Sequence, residues 1–136
     1  GSSPRFYPRK HDSIYWYTKG KSWFFEPPLV PATSQRLKGK MKKAPDYWDI
    51  PSLNNMAAER TGYPTQKPLA LLNRIVLAHS EPGDWVGDFF CGSGTTLVSA
   101  VRNGRSVVGC DASEVAIKTV HERLSAEGVV PRSEFA

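Results

Sequence analysis

Cysteine is scarce in this sequence, with Cys91 and Cys110 the whole complement. Two cysteines do not build the disulfide framework of a small secreted scaffold, and no Cys/His cluster with metal-ligand spacing accompanies them. They read as small buried thiols of a reducing compartment, and the expected location is the cytoplasm. No run of about 18 apolar residues occurs, so no membrane-spanning helix is expected. The opening GSSPRF lacks the apolar stretch of a signal peptide. No internal repeat is visible. Histidine is thin and scattered, at His11, His79 and His121, with no shared site and no metal set among them.

What is present fits one domain of ordinary size: 136 residues, 40% hydrophobic and 23% charged. The net charge of +5 is unevenly placed. Residues 1–50 hold ten Lys/Arg against four Asp/Glu, while residues 51–136 hold eight against nine. A basic region confined to the front of the chain suggests a polyanionic partner.

Residues 14–25, IYWYTKGKSWFF, predict a β-hairpin, since two aromatic and β-branched runs flank a glycine-containing loop. Residues 26–60 are rich in proline and poor in periodic apolar positions, and predict an irregular segment. Its basic stretch RLKGKMKK places Arg36, Lys38, Lys40, Lys42 and Lys43 as candidate contacts to nucleic acid. From residue 61 to 127 the pattern becomes regular. Leu69, Leu72, Ile75 and Val76 recur at helical spacing, and Pro68 suits the first helical turn. EPGD breaks that helix. Then follow a strand at WVGDFF, a helix at SGTTLVSAVRNG, a strand at SVVGCD and a helix at SEVAIKTVHERLSAEG. Strand–helix–strand–helix with short connections implies α/β architecture with parallel strands and flanking helices.

Where the first of these strands turns into its helix stands DFFCGSGTT. A strand-to-helix turn places backbone N–H groups around a crevice at the carboxyl end of a parallel sheet, where ligands bind. Gly92 tolerates a dihedral closed to other residues, and Gly94 allows close backbone approach. Asp111 ends the next strand, 19 residues after Gly92, where an acid typically accepts from two ribose hydroxyls. The dinucleotide fingerprint needs a further glycine at position 97, which is Leu, and no GxxxxGK[ST] loop exists. Asp88, just before the turn, would repel a pyrophosphate. It suits a cationic ligand such as S-adenosylmethionine, which carries a sulfonium and an ammonium.

These residues resemble the cofactor motif of the DNA adenine and cytosine amino-methyltransferases. TGYPTQKPLALLNRIV, upstream, is similar to the second cofactor motif of that family, and the order of the two resembles its β-class arrangement. HDSIYWYTKGKSWFF resembles the segment that follows the catalytic half of such enzymes. The resemblance covers residues 5–25 and 60–125, and residues 26–59 fall where the target-recognition region would lie. It implies a Rossmann-like methyltransferase fold, S-adenosylmethionine as cofactor and DNA as substrate. It also implies candidate cofactor contacts at Thr65, Gln66, Lys67 and Pro68, then at Asp88, Phe89, Phe90, Cys91, Gly92, Ser93, Gly94, Thr95 and Thr96, and at Asp111, Ala112 and Ser113. In this carry-over Gly92 and Gly94 approach the methionine part. Thr95 and Thr96 open the helix and bond the carboxylate, and Lys67 pairs with it. Asp111 holds the ribose, and Ala112 or Ser113 lies near adenine.

The family's [DNS]PP[YFW] motif, which holds the flipped base, has no counterpart here. The only Pro-Pro, in FEPPLV, has Glu26 and Leu29 at the flanking positions and reads as a loop. The expectation is therefore a carboxyl-terminal, partial methyltransferase domain with no catalytic residue of its own, inactive alone. Two parallel strands and a hairpin would leave free sheet edges, which predicts a homodimer or a partner chain that completes the sheet. Two rivals stay open: a non-catalytic nucleic-acid-binding remnant or subunit, and an unrelated nucleotide-binding α/β protein. Adenine and cytosine stay open as targets.

Overall fold

The computed structural model describes residues 4–8 and 10–133. Its elements are β1 (Leu29–Pro31), β2 (Met41–Lys43), α1 (Leu69–His79), β3 (Trp85–Asp88), α2 (Thr95–Arg102), β4 (Ser106–Gly109) and α3 (Glu114–Ala126). β3 and β4 pair in parallel, with Trp85 opposite Ser106 and Asp88 opposite Gly109. β1 and β2 form a separate antiparallel hairpin, with Leu29 opposite Lys43 and Pro31 opposite Met41. No helix among the described residues is long and apolar enough to cross a membrane.

The parallel pair and its helices follow the sequence pattern closely. In α3, Ala116, Val120 and Leu124 recur every fourth residue and are buried. Ser113 caps the start of α3 by accepting from the Ala116 N–H at 3.3 Å. α2 is buried along most of its length, from Leu97 through Ala100. Leu97, Val98, Val120, Leu124 and Cys91 form one core cluster, bordered by Leu69, Val101, Val107 and Val129. Both α2 and α3 stop at glycine. Gly104 N–H bonds the Val101 carbonyl and Arg105 N–H bonds Ala100, while Gly128 and Val129 do the same to Ser125 and Leu124. The paired bonds and a glycine of positive φ close each helix end.

α1 lacks a side-chain cap at Pro68, but Glu59 Oε2 accepts from the Leu69 N–H at 3.0 Å from ten residues upstream. At its other end, buried Arg105 donates from Nε to Ser80 Oγ at 3.1 Å and also to the Ser80 carbonyl. That ties the end of α1 to the start of β4. Ser99 Oγ of α2 donates to Asn73 Oδ1 of α1 at 2.6 Å, and Asn103 Nδ2 donates to the same oxygen at 3.2 Å. The two helices are thus joined by a satisfied polar network as well as by apolar packing.

Three expectations need correction. Residues 14–25 form no strands. A two-stranded hairpin needs a covering face, and these aromatic side chains cover the end of α1 instead. Trp16 meets Trp23 edge-on with centroids 5.7 Å apart, and Trp16 and Phe25 each lie 5.3 Å from the His79 ring. The antiparallel hairpin of the molecule lies in the stretch expected to be irregular. Its strands are three residues long and too short for a period to show. The third concerns Cys110, which is exposed while Cys91 is buried. Cys110 follows the last residue of β4 and lies outside the core cluster.

Among the described residues, α2 packs against one face of the β3–β4 pair. Trp85, Phe89 and Val108 are exposed, and a Cβ placed on Gly87 would touch Val108 and Phe89 at 3.5 and 3.6 Å, so these two side chains flank one exposed strip.

Candidate cofactor site

The parallel strands end at Asp88 and Gly109 and deliver two loops to the same end of the sheet. Cys110 N–H bonds the Asp88 carbonyl at 3.0 Å and Cys91 N–H bonds the Cys110 carbonyl at 3.0 Å, so the loops continue the ladder past the strands. The first then turns sharply. Gly92 has φ +50° and Gly94 has φ +74°, both in the left-handed region. Gly94 caps α2, and its N–H bonds the Cys91 carbonyl at 2.7 Å.

Asp111 holds the two loops together. Its Oδ2 accepts from Gly92 N–H at 2.8 Å and its Oδ1 accepts from Ser113 N–H at 2.9 Å. Each carboxylate oxygen retains a second lone pair. Asp88 Oδ1 accepts from Phe90 N–H at 3.1 Å. Phe90 itself is 92% exposed. Cys91 lies beneath the turn. Burial first, and then the charges of Asp111 and Asp88, push its thiol up to about 11.

The upstream segment is placed against this turn. The Tyr63 ring lies over Gly92, where an added Cβ would meet Tyr63 Cε1 at 3.3 Å. Gln66 is buried and structural. Its Oε1 accepts from Thr61 N–H and Thr61 Oγ1, each at 2.8 Å, and its Nε2 donates to the Glu59 carbonyl at 2.6 Å. Pro68 is buried as the residue before α1, while Thr65 and Lys67 point outward. Lys67 Nζ lies 3.7 Å from Asp12 Oδ2, with both side chains exposed.

Of the expected cofactor contacts, residues 88–96 and 111–113 are assembled at one end of the sheet. Ser93 and Thr95 are buried, and both bond Arg123 of α3. Thr96 is half-buried and Ala112 exposed. The five basic residues of the middle segment sit together on the hairpin. Arg36 lies in the 3-10 turn Gln35–Leu37, Lys38 and Lys40 follow it, and Lys42 and Lys43 are on β2. All five are exposed, and among the described residues none pairs with a carboxylate. Lys42 Nζ donates to Thr33 Oγ1 at 3.4 Å. Glu59, Tyr63 and Arg123 were not foreseen as part of the site. Only Tyr63 carried a local signal, through its place in TGYPTQKP.

A cavity of about 720 Å³, lined by residues including Glu26, Pro28, Arg74, Ala78 and Arg105, opens elsewhere. It touches the segments that enter β3 and β4, whereas the glycine turn leaves them. The chemistry-bearing groups are at the turn, and the turn is the site that the geometry favours.

These groups fit a nucleoside bearing a positive charge. Asp111 offers a fixed carboxylate with free lone pairs for a diol, and Asp88 offers negative charge beside the turn. Neighbouring Phe89 and Phe90 supply exposed aromatic surface.

The family model N6_N4_Mtase, described as DNA methylase, matches residues 1–122. The DNA adenine methyltransferase YhdJ of Escherichia coli (strain K12) is 38% identical over 109 residues, which are 80% of this chain and 35% of YhdJ. The type II methyltransferase M2.DpnII of Streptococcus pneumoniae is 36% identical over 129 residues, 92% of this chain and 46% of the relative. Among solved structures, that of the M1.HpyAVI–SAM complex superposes with a TM-score of 0.53 at 31% identity, covering 76% of this chain and 44% of that one. The chain spans less than half the length of each of these three proteins.

Proposed function

The chain belongs to the N6/N4 DNA methylase family, and we propose that this segment is the S-adenosylmethionine-binding portion of a site-specific DNA methyltransferase. Its reaction class is transfer of the sulfonium methyl to the exocyclic amine of adenine or cytosine. The amine nitrogen attacks the methyl carbon, the carbon–sulfur bond breaks to leave a neutral thioether, and the amine gives up a proton. The observation that carries the reading is the Asp111 carboxylate, fixed by the N–H groups of Gly92 and Ser113 beside a turn that has two left-handed glycines. In this reading Asp111 takes the ribose hydroxyls, Asp88 faces the cationic end, and Phe90 flanks the nucleoside.

The groups that would hold a flipped base are a different matter. Glu26 of FEPPLV donates its N–H to the Ala78 carbonyl at 2.9 Å, and Leu29 begins β1. That segment leads into the hairpin and lines a cavity with Ser80, Pro82 and Arg105, where the chain enters β3 and β4, whereas the glycine turn lies where it leaves them. On its own this chain therefore binds cofactor without transferring methyl groups. The exposed strip of Trp85, Phe89 and Val108 and the free edges of the parallel pair support a further layer, supplied by a partner chain or a second copy. The exposed lysines of the hairpin support DNA as the polyanion.

Calorimetric titration of S-adenosylmethionine into the chain, beside Asp111→Ala, tests the reading. Saturable binding that the substitution weakens is the expected result. Absence of binding to the intact chain would count against a complete pocket. A second reading, a nucleic-acid module indifferent to cofactor, draws on the five exposed basic residues of the middle segment. It predicts salt-dependent DNA binding that S-adenosylmethionine leaves unchanged.

A further inference from the structure

α3 touches the glycine turn twice, through residues three positions apart on one helical face. Val120 packs against Gly94, where a Cβ would meet Val120 Cγ2 at 2.7 Å. Arg123 reaches past it. Its Nη1 donates to the Ser93 carbonyl at 2.6 Å and to Thr95 Oγ1 at 3.0 Å, with Ser93 Oγ at 3.3 Å. Ser93 and Thr95 are both buried. Among the described residues Arg123 has no carboxylate within ion-pair distance. A half-buried guanidinium is costly to keep; the Glu59 and Glu127 carboxylates act on it only from beyond ion-pair distance, and its Nη1 bonds go to one turn 28 to 30 residues away in sequence.

The bond to the Ser93 carbonyl has a specific consequence. That carbonyl and the Gly94 N–H belong to one peptide plane. Anchoring the oxygen on one side aims the N–H on the other, and the N–H bonds the Cys91 carbonyl at 2.7 Å. Rotation of this plane would break the Gly94 N–H bond to Cys91 and change the left-handed backbone of Gly94. We propose that Arg123 is a positioning residue of the cofactor turn: it fixes the Ser93–Gly94 peptide and the Thr95 hydroxyl from behind, and so presets the backbone that S-adenosylmethionine meets. All three contacts come from Nη1, so a lysine ammonium replaces them in part, without the planar geometry that orients the guanidinium. The inference rests on the cofactor reading of the turn, and it makes Thr95 a link in the support of the turn.

The test compares the intact chain with Arg123→Lys and Arg123→Met in two measurements. Amide hydrogen exchange needs no cofactor. Arg123→Met should speed exchange at Gly92 and Gly94 by about tenfold or more, leave Val98 and Val120 in the core near their original rates, and be partly rescued in Arg123→Lys. Titration with S-adenosylmethionine should show the same order of affinity, with Arg123→Met weakened by about tenfold or more. Uniformly faster exchange across the chain would mean a general stabilising role and would overturn the proposal. Unchanged exchange at the turn, or unchanged affinity in Arg123→Met, would overturn it too. If the intact chain itself fails to bind S-adenosylmethionine, the cofactor reading fails, and the exchange pattern still decides whether Arg123 sets the turn.

Discussion

Gly92 N–H donates to Asp111 Oδ2 at 2.8 Å, across 19 residues of sequence. One carboxylate thus closes the glycine turn and stands ready for the ligand. Asp111→Asn retains one acceptor oxygen and turns the other into a donor, so one of the two N–H bonds from Gly92 and Ser113 is lost. A hydrogen bond to a charged group contributes about 1.5–3 kcal/mol, and the loss of stability should fall in or below that range. Thermal denaturation would measure it. Affinity for S-adenosylmethionine should fall as well, because the diol meets one acceptor in place of two.

Gly62 and Gly94, both left-handed, separate strain from crowding. Gly62 has φ +84° and nothing within 4 Å of an added Cβ. Gly94 has φ +74°, with Val120 Cγ2 at 2.7 Å from that position. Gly62→Ala should cost about 1–2 kcal/mol, from the left-handed backbone alone. Gly94→Ala adds overpacking against a buried valine, a further cost of about 1–3 kcal/mol. Chemical denaturation of both variants should rank them in that order. Equal losses would mean that Val120 yields freely.

Much of the cofactor half is legible because its determinants are local. RNG and AEG announce where α2 and α3 end, since a glycine just past a helix completes the closing bonds. Ala116, Val120 and Leu124 give α3 its buried face. The spacing from Gly92 to Asp111 reflects one strand–helix–strand unit. Arg123 is different. It reads as one more charged residue on an amphipathic helix, and its contacts appear only when α3 folds back over the turn. Glu59 is likewise invisible as a cap, because it reaches α1 from ten residues before the helix begins. The front of the chain misleads for a related reason. Alternating aromatics at residues 14–25 suit a strand, yet without a sheet face to cover they pack around His79.

The two thiols should differ sharply in reactivity. Cys91 is buried, and burial together with the Asp111 and Asp88 carboxylates pushes its pKa up to about 11. Cys110 is exposed. At pH 8 an alkylating reagent should modify Cys110 rapidly and Cys91 only on unfolding, because the thiolate is the nucleophile. Peptide mass spectrometry would assign the sites. The same shift has a sign for stability. The folded state holds the Cys91 proton more tightly than the unfolded chain does. Its contribution is full below the unfolded pKa, near 9, and is lost as pH rises toward 11. Cys91→Ala should flatten that part of the pH profile.

The hairpin offers the last expectation. Lys40, Lys42 and Lys43 are exposed, with no carboxylate partner among the described residues, and they follow Arg36 and Lys38 along one connected loop and strand. If they neutralise phosphates, each contact releases counterions, and the logarithm of affinity falls with the logarithm of salt by about 0.9 per contact on duplex DNA. Replacing all three with glutamine should therefore reduce the slope by about 2–3. Affinity should drop by a similar factor on unrelated sequences, because phosphate contacts position without reading bases. Fluorescence anisotropy across a salt series would give both numbers. These side chains lie outside the core cluster, so the triple variant should unfold at the same temperature as the original chain. An unchanged slope would remove the hairpin from the DNA interface and leave the cofactor turn untouched, since no hairpin residue contributes to the bonds that hold it.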